Sequence, residues 1–100
     1  MSELTVVCGE KKSEGGKLVK VCVKLLGNTV RGVLISGDFF ADPGEVFEEL
    51  AQELADMEIE KSRVIALVTE RIKKKNLEFI GISIGDIEEA IHKALSSQSQ

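Results

Sequence analysis

Apolar and polar side chains alternate along the first third of the chain, and this is the pattern of half-buried β-strands. From Lys17 to Leu26 the alternation has one apolar face, made of Val19, Val21, Val23 and Leu25, and a second face made of Leu18, Lys20, Cys22 and Lys24. Gly27-Asn28 then supplies a turn, and residues 29–36 return as a second strand. The phase of this strand slips near Arg31-Gly32, which predicts a β-bulge.

A shorter β-prone run, residues 4–8, precedes these strands and ends at Gly9. It predicts a third antiparallel strand. The polar, Gly-ended segment Glu10–Gly16 is typical of a flexible loop. Because Lys17 follows Gly16, the loop resembles a phosphate-binding loop at first sight. It lacks the first Gly and the Ser or Thr after the Lys, so it fails that pattern.

After residue 40 the apolar period becomes helical. Asp42-Pro43-Gly44-Glu45 predicts a helix start in which Asp42 caps free amides and Glu45 completes a capping box. A second helix is predicted at about residues 60–75, and a third begins with the capping sequence Ser83–Asp86. The predicted buried stripes are Val46, Phe47, Leu50, Ala51 and Leu54, then Val64, Ile65, Val68 and Ile72, then Ile87, Ala90, Ile91 and Leu95.

These elements predict an α+β domain with a three-stranded antiparallel sheet packed on one face by about three helices. Residues 1–100 form a single domain, with an irregular connection at residues 76–81 and a frayed tail at about 96–100.

Composition narrows the classes of function. The formal net charge is −4, and there is no Trp or Tyr, which argues against a nucleic-acid-binding surface. No apolar run approaches the ~20 residues of a membrane span, and no signal peptide is visible, so we expect no membrane association and a cytoplasmic location.

The residues that could carry chemistry are few. Cys8 and Cys22 have no CxxC spacing and only the distant His92 to join them, so no metal site is predicted. Their spacing is compatible with a disulfide, but a cytoplasmic chain keeps thiols reduced, and we predict two small core residues. His92 lies off the third helix's apolar stripe and is predicted to be exposed and not catalytic.

The segment Gly37-Asp38-Phe39-Phe40 closes the predicted sheet and contains half of the four Phe residues. Taken alone, it is a strand exit with core aromatic side chains. Together with Gly16-Lys17-Leu18-Val19-Lys20-Val21, the preceding Val33 and Ile35, and the helix start at Gly81-Ile82-Ser83, it resembles the C-terminal accessory domain of lipoate–protein ligase. In some archaea this domain is a separate small subunit. The resemblance covers residues 15–95, and the loop before Gly15 departs from the family pattern.

The resemblance implies a non-catalytic subunit of an ATP-dependent ligase that forms lipoyl-AMP and transfers the lipoyl group to a Lys of a carrier domain. The expected partners are the large catalytic subunit and, transiently, lipoyl carrier domains. Gly37, Asp38, Phe39 and Phe40 are the predicted partner interface, and Gly16 and Lys17 are predicted to lie near the nucleotide. ATP, Mg and lipoate are expected in the assembled complex, with no cofactor bound by this chain alone.

Two alternatives belong to other classes of protein. Strands followed by helices are also found in iron–sulfur scaffolds and sulfur acceptors, which would use Cys8 or Cys22 as a free thiol. The chain could also be an interaction module with no enzyme partner.

Overall fold

A computed structural model describes residues 3–97. In chain order its elements are β1 (Leu4–Lys12), β2 (Leu18–Leu26), β3 (Thr29–Gly37), β4 (Phe40–Asp42), α1 (Gly44–Ala55), β5 (Ile59–Glu60), a 3₁₀ turn (Lys61–Arg63), α2 (Val64–Lys74), β6 (Glu78–Ile80) and α3 (Ile84–Ser96). The α+β class is as predicted. No helix within the described range is long and apolar enough to cross a bilayer.

The main sheet is antiparallel and has the strand order β1-β2-β3-β5. The prediction of three strands was therefore wrong, because β5 adds a fourth by pairing two residues with Thr29 and Val30. A second sheet joins β4 to β6, so residues 78–80 form a strand where an irregular connection was predicted. Strands of two or three residues are too short to show a period in the sequence.

The predicted bulge is present. Lys24 of β2 pairs with Gly32 of β3, whereas the next residue, Leu25, pairs with Val30. Arg31 is therefore the extra residue of the bulge. The shift keeps Leu25, Val30 and Val33 on the same buried side of the sheet.

Strand β1 is longer than the sequence predicted. It passes through Gly9 and ends at Lys12, so only a tight turn remains of the predicted loop Glu10–Gly16. Gly9 does not end the strand. Its lack of a side chain allows α3 to pack closely on β1, because a Cβ at this position would overlap backbone atoms of Ala90 and Ala94.

The three helices cover one face of the main sheet. Helix α3 packs on β1 and β2, α1 packs on β3, and α2 contacts both other helices. The predicted stripes supply the helical part of the core: Leu50, Leu54, Val64, Val68, Ile72, Ile87, Ala90 and Ile91 are buried. Val46, Phe47, Ala51, Ile65 and Leu95 are half-buried at its margin.

The two helix starts differ. Ser83 and Asp86 form the predicted capping box on α3: Ser83 Oγ accepts from Asp86 N at 3.1 Å, and Asp86 Oδ2 accepts from Ser83 N at 3.0 Å. Asp42 does not cap α1, which corrects the sequence prediction. Its backbone is held in β4 opposite Glu78, so Pro43 occupies the cap position without a side-chain hydrogen bond.

We call the sheet face that the helices leave uncovered the open face. It carries the residues of the opposite phase, Leu4, Val6, Cys8, Glu10, Lys20, Cys22, Lys24, Leu34 and Ser36. The two cysteines lie directly opposite each other on it and form a disulfide. The prediction of two reduced core cysteines was therefore wrong, because the strand phase turns both side chains away from the helices.

At the end of the chain, Ser96 closes α3 and Ser97 caps it, with Ser97 Oγ donating to the Ala94 carbonyl at 2.7 Å. Residues 96 and 97, which were assigned to a frayed tail, therefore belong to the helix and its cap, whereas positions 98–100 of the predicted tail lie outside the described residues.

Candidate partner-binding site

Gly37 and Asp38 are both held against Leu18 at the start of β2. Asp38 N donates to the Leu18 carbonyl at 3.2 Å, and Asp38 Oδ1 accepts from Leu18 N at 2.6 Å. Gly37 has a φ of 151°, and a Cβ there would overlap the Leu18 carbonyl oxygen. Both residues therefore have a structural role: they hold the end of β3 against the start of β2.

Phe39 turns inward. Its ring contacts those of Phe47 and Phe79 edge-to-face, with centroids 6.0 Å and 5.7 Å away, and the Phe47 and Phe79 rings are 6.0 Å apart. Such edge-to-face pairs are favoured over stacked ones. This three-ring cluster joins the connection between β3 and β4 to α1 and β6, and it uses three of the four Phe residues in the chain.

Phe40 turns outward. Its side chain is 70% exposed, and it pairs across the small sheet with Ile80, which is 60% exposed. The next pair on the same outer face is Asp42 opposite Glu78, also exposed. We call these four residues the end patch: two apolar side chains beside two carboxylates.

The carboxylates of the end patch form no ion pair with the described residues. Among residues 3–97, neither Asp42 nor Glu78 takes part in an ion pair or a side-chain hydrogen bond. Like charges placed opposite each other on adjacent strands destabilise a sheet. Glu48 adds a third carboxylate nearby, in the lining of a cavity of about 330 Å³ that also includes Gly37, Phe40 and Phe47.

Gly16 and Lys17 lie at the same end of the molecule. They close the β1–β2 turn, in which Ser13 N donates to the Lys17 carbonyl at 2.7 Å and Ser13 Oγ accepts from Lys17 N at 3.1 Å. Lys17 is exposed, and its stem lies over Gly81, just after β6. Since Leu18 follows Lys17 and binds Asp38, the structure brings the two predicted groups together.

The sequence did not reveal Ile80, Asp42 and Glu78 as members of this surface. Asp42 was interpreted as a helix cap, and residues 78–80 as irregular chain. The available indication was the alternation of Leu77, Glu78 and Phe79, which Ile80 interrupts. It was too short to decide between strand and loop.

The other candidate residues lie elsewhere. His92 is exposed on α3, as predicted. Cys8 and Cys22 form a disulfide, so neither is a free thiol. A role as sulfur acceptor or cluster scaffold would require reduction of this disulfide first. Within the described range no three His, Cys, Asp or Glu side chains are grouped as a metal site.

The end patch thus lies on an α+β fold with a four-stranded sheet, three helices on one face and a two-stranded sheet at one end. No family model matches the sequence, and no curated protein matches it significantly. The fold is similar to that of a chain in a solved archaeal lipoylation system, described as a bi-partite lipoate protein ligase and its E2 lipoyl domain from Thermoplasma acidophilum. The TM-score is 0.66 at 21% identity, and the match covers 91% of this chain and 97% of that chain. At this identity the similarity establishes the fold.

Proposed function

We propose that the chain is the small accessory subunit of a two-subunit lipoate–protein ligase. The observation that carries the proposal is the structural similarity to a chain of a bi-partite ligase system, which extends over nearly the whole of both chains. The two chains are therefore of similar length as well as similar fold. In the sequence, the segment 37–40 is the most specific part of the resemblance to the ligase accessory domain.

In this proposal the chain contributes no catalytic residue. It forms a heterodimer with the catalytic subunit, which binds ATP, Mg and lipoate and makes lipoyl-AMP before transfer to a carrier-domain Lys. The accessory subunit helps to close the pocket around the adenylate. Closure excludes water from a reactive mixed anhydride, which would otherwise hydrolyse.

The end patch is the surface we assign to docking. Exposed aromatic and aliphatic side chains at the centre of a contact, with polar groups at its rim, are the usual anchors of protein interfaces. Asp42 and Glu78 specify the charge of the partner surface, because a Lys or Arg there would relieve their repulsion. We therefore expect the catalytic subunit to meet Phe40 and Ile80 with an apolar pocket edged by basic side chains.

The proposed function is tested by measuring lipoyl-AMP formation by the catalytic subunit, lacking its own accessory domain, with and without this chain. We expect adenylation to depend on added chain and to saturate at one chain per catalytic subunit. Equal rates with and without it would contradict the proposal. Failure to co-purify with the subunit would instead favour an interaction module with another partner.

The docking surface is tested with two matched variants. Ile80→Ser and Leu34→Ser each remove an aliphatic side chain that is exposed to the same degree, 60% and 59%. Ile80 lies in the end patch and Leu34 on the open face. We expect Ile80→Ser to raise the Kd for the catalytic subunit by about thirtyfold, the effect of losing an interface anchor of about 2 kcal/mol. Leu34→Ser should leave the Kd unchanged, and the reverse result would place the interface on the open face.

A further inference from the structure

The disulfide Cys8–Cys22 lies outside the core and outside the end patch. It joins β1 to β2 on the open face, where Cys8 is exposed and Cys22 is half-buried. In the described part of the chain β1 is an edge strand of the main sheet. Cys8 can therefore be approached both from the open face and from the sheet edge.

The strand pairing around the disulfide extends well beyond the two cysteines. Nine residue pairs join β1 to β2, from Leu4–Leu26 to Lys12–Leu18. The opposite phase of the same strands, including Val7, Val21 and Val23, is buried under the helices. The disulfide therefore lies on the side of the sheet that faces away from the core.

We propose that Cys8–Cys22 is a thiol–disulfide exchange site that small thiol reductants, such as a dithiol, reach in the folded protein. The thiolate of the dithiol attacks Cys8 Sγ, the S–S bond breaks, and Cys22 leaves as a thiolate that takes a proton from water. The second thiol of the dithiol then attacks the first sulfur of the dithiol, which is bonded to Cys8 in the mixed disulfide. The proton of the second thiol passes to the departing Cys8 thiolate. The protein gains two electrons and two thiols, and the dithiol becomes a cyclic disulfide.

The charges on the open face support Cys22 as the leaving sulfur. Lys20 and Lys24 lie two residues before and after it on the same face, and Lys24 lines the same 330 Å³ cavity as Cys22. Cations near a thiolate stabilise it, and a more stable thiolate leaves faster. Along β1, the charged residue that lies two positions from Cys8 on the same face is Glu10, and it lies opposite Lys20.

The inference is independent of the proposed function, because it concerns the opposite face of the sheet and uses no property of a ligase. It assigns to the open face a chemistry that the end patch lacks, namely the reversible conversion of one disulfide into two thiols.

The test compares the rate of reduction by dithiothreitol in native buffer with the rate in denaturing urea, measured by alkylation of new thiols and mass spectrometry. A site that needs global unfolding would react slower in native buffer by the unfolding equilibrium constant, about 10³-fold or more. We expect slowing of less than about a hundredfold, with an unchanged far-ultraviolet circular dichroism spectrum of the reduced protein. Greater slowing, or loss of that spectrum on reduction, would overturn the proposal.

The single-cysteine variants are matched controls for the direction of attack. Cys22→Ser leaves Cys8 as an exposed thiol, and Cys8→Ser leaves Cys22 as a half-buried one. We expect native alkylation of Cys8 to be faster than that of Cys22. In native buffer, Lys24→Gln should slow reduction of the intact disulfide severalfold. In urea the variant should be reduced at the same rate as the natural protein. Equal slowing in both conditions would refute the role given to the local charge.

Discussion

Asp38 illustrates how a single side chain can stabilise the fold at a position where the sequence indicates binding. The sequence predicted Asp38 as part of the partner interface. In the structure it accepts a hydrogen bond from Leu18 N at 2.6 Å, within the chain. The exposed end-patch side chains are instead Phe40 and its neighbours across the small sheet. Asp38 therefore positions the docking segment through its Oδ1 atom.

Replacing Asp38 should consequently affect stability. We expect Asp38→Ala to lower the free energy of unfolding by about 1 kcal/mol, the usual net value of a hydrogen bond, measured by urea denaturation. Asp38→Asn keeps an acceptor oxygen and should lose less. A larger loss for Asn than for Ala would show that the hydrogen bond to Leu18 is not the stabilising feature.

Glu53 provides a pH-dependent prediction. A hydrogen bond from Lys75 Nζ at 2.9 Å is the main cause that lowers the pKa of Glu53 below its ordinary value, helped by Arg71 at 3.1 Å and opposed by burial. A carboxyl group whose pKa is lower in the folded state stabilises the protein above its unfolded pKa. That stabilisation is lost as the pH falls through the folded pKa.

The stability difference between the natural protein and Glu53→Gln should therefore be largest near neutral pH and should shrink in acid. Urea denaturation across the acidic range measures it, and added salt should reduce it because the ion pair is exposed. Glu48→Gln, on the same helix but without an ion pair in the described chain, is the control. A Glu53→Gln effect that is independent of pH would contradict the argument.

At the scale of elements, the packing of α3 on β1 depends on Gly9. We expect Gly9→Ala to lower the free energy of unfolding by about 1–3 kcal/mol, as overpacking does, because the added methyl group meets the α3 backbone. Gly15→Ala is the matched control, since a Cβ at Gly15 meets nothing within 4 Å. Equal thermal shifts for the two variants would show that α3 does not pack tightly here.

The elements differ in how far the sequence could predict them. The long helices and β2 were predictable because their apolar periods extend over several turns or residue pairs. β4, β5 and β6 were not, since each is stabilised by pairing with residues distant in sequence. The same reason explains why Asp42 was wrongly predicted to cap α1. The sequence around Asp42 is typical of a helix start, but pairing with Glu78 decides the conformation of this residue.

At the scale of the whole molecule, the fold class followed from element order, whereas the composition of the candidate site did not. Residues 16–17 and 37–40 were identified through the resemblance to a ligase accessory domain. The third contributor, residues 78–80, became visible only in the structure, where β6 pairs with β4 and Gly81 contacts Lys17. The disulfide was missed for a different reason. The assumed cellular compartment outweighed the strand phase, which places Cys22 opposite the apolar face.

The disulfide should also contribute to global stability. It closes a loop between residues 14 apart in sequence, for which the chain-entropy estimate is about 3 kcal/mol. The double variant Cys8→Ser/Cys22→Ser should therefore unfold at lower urea concentration than the oxidised protein, with the same far-ultraviolet spectrum. The reduced natural protein should match the double variant. Equal stability of the oxidised protein and the double variant would contradict this estimate.

The three-ring cluster has a consequence for the order of folding. Phe39 and Phe79 are far apart in sequence, so the chain must close a long loop before their rings can touch. β1, β2 and β3, in contrast, form from neighbouring hairpins. We expect the rings to meet after the transition state, so that they slow unfolding far more than they speed folding. The end of the molecule assigned to docking would then be the last to assemble and the first to open.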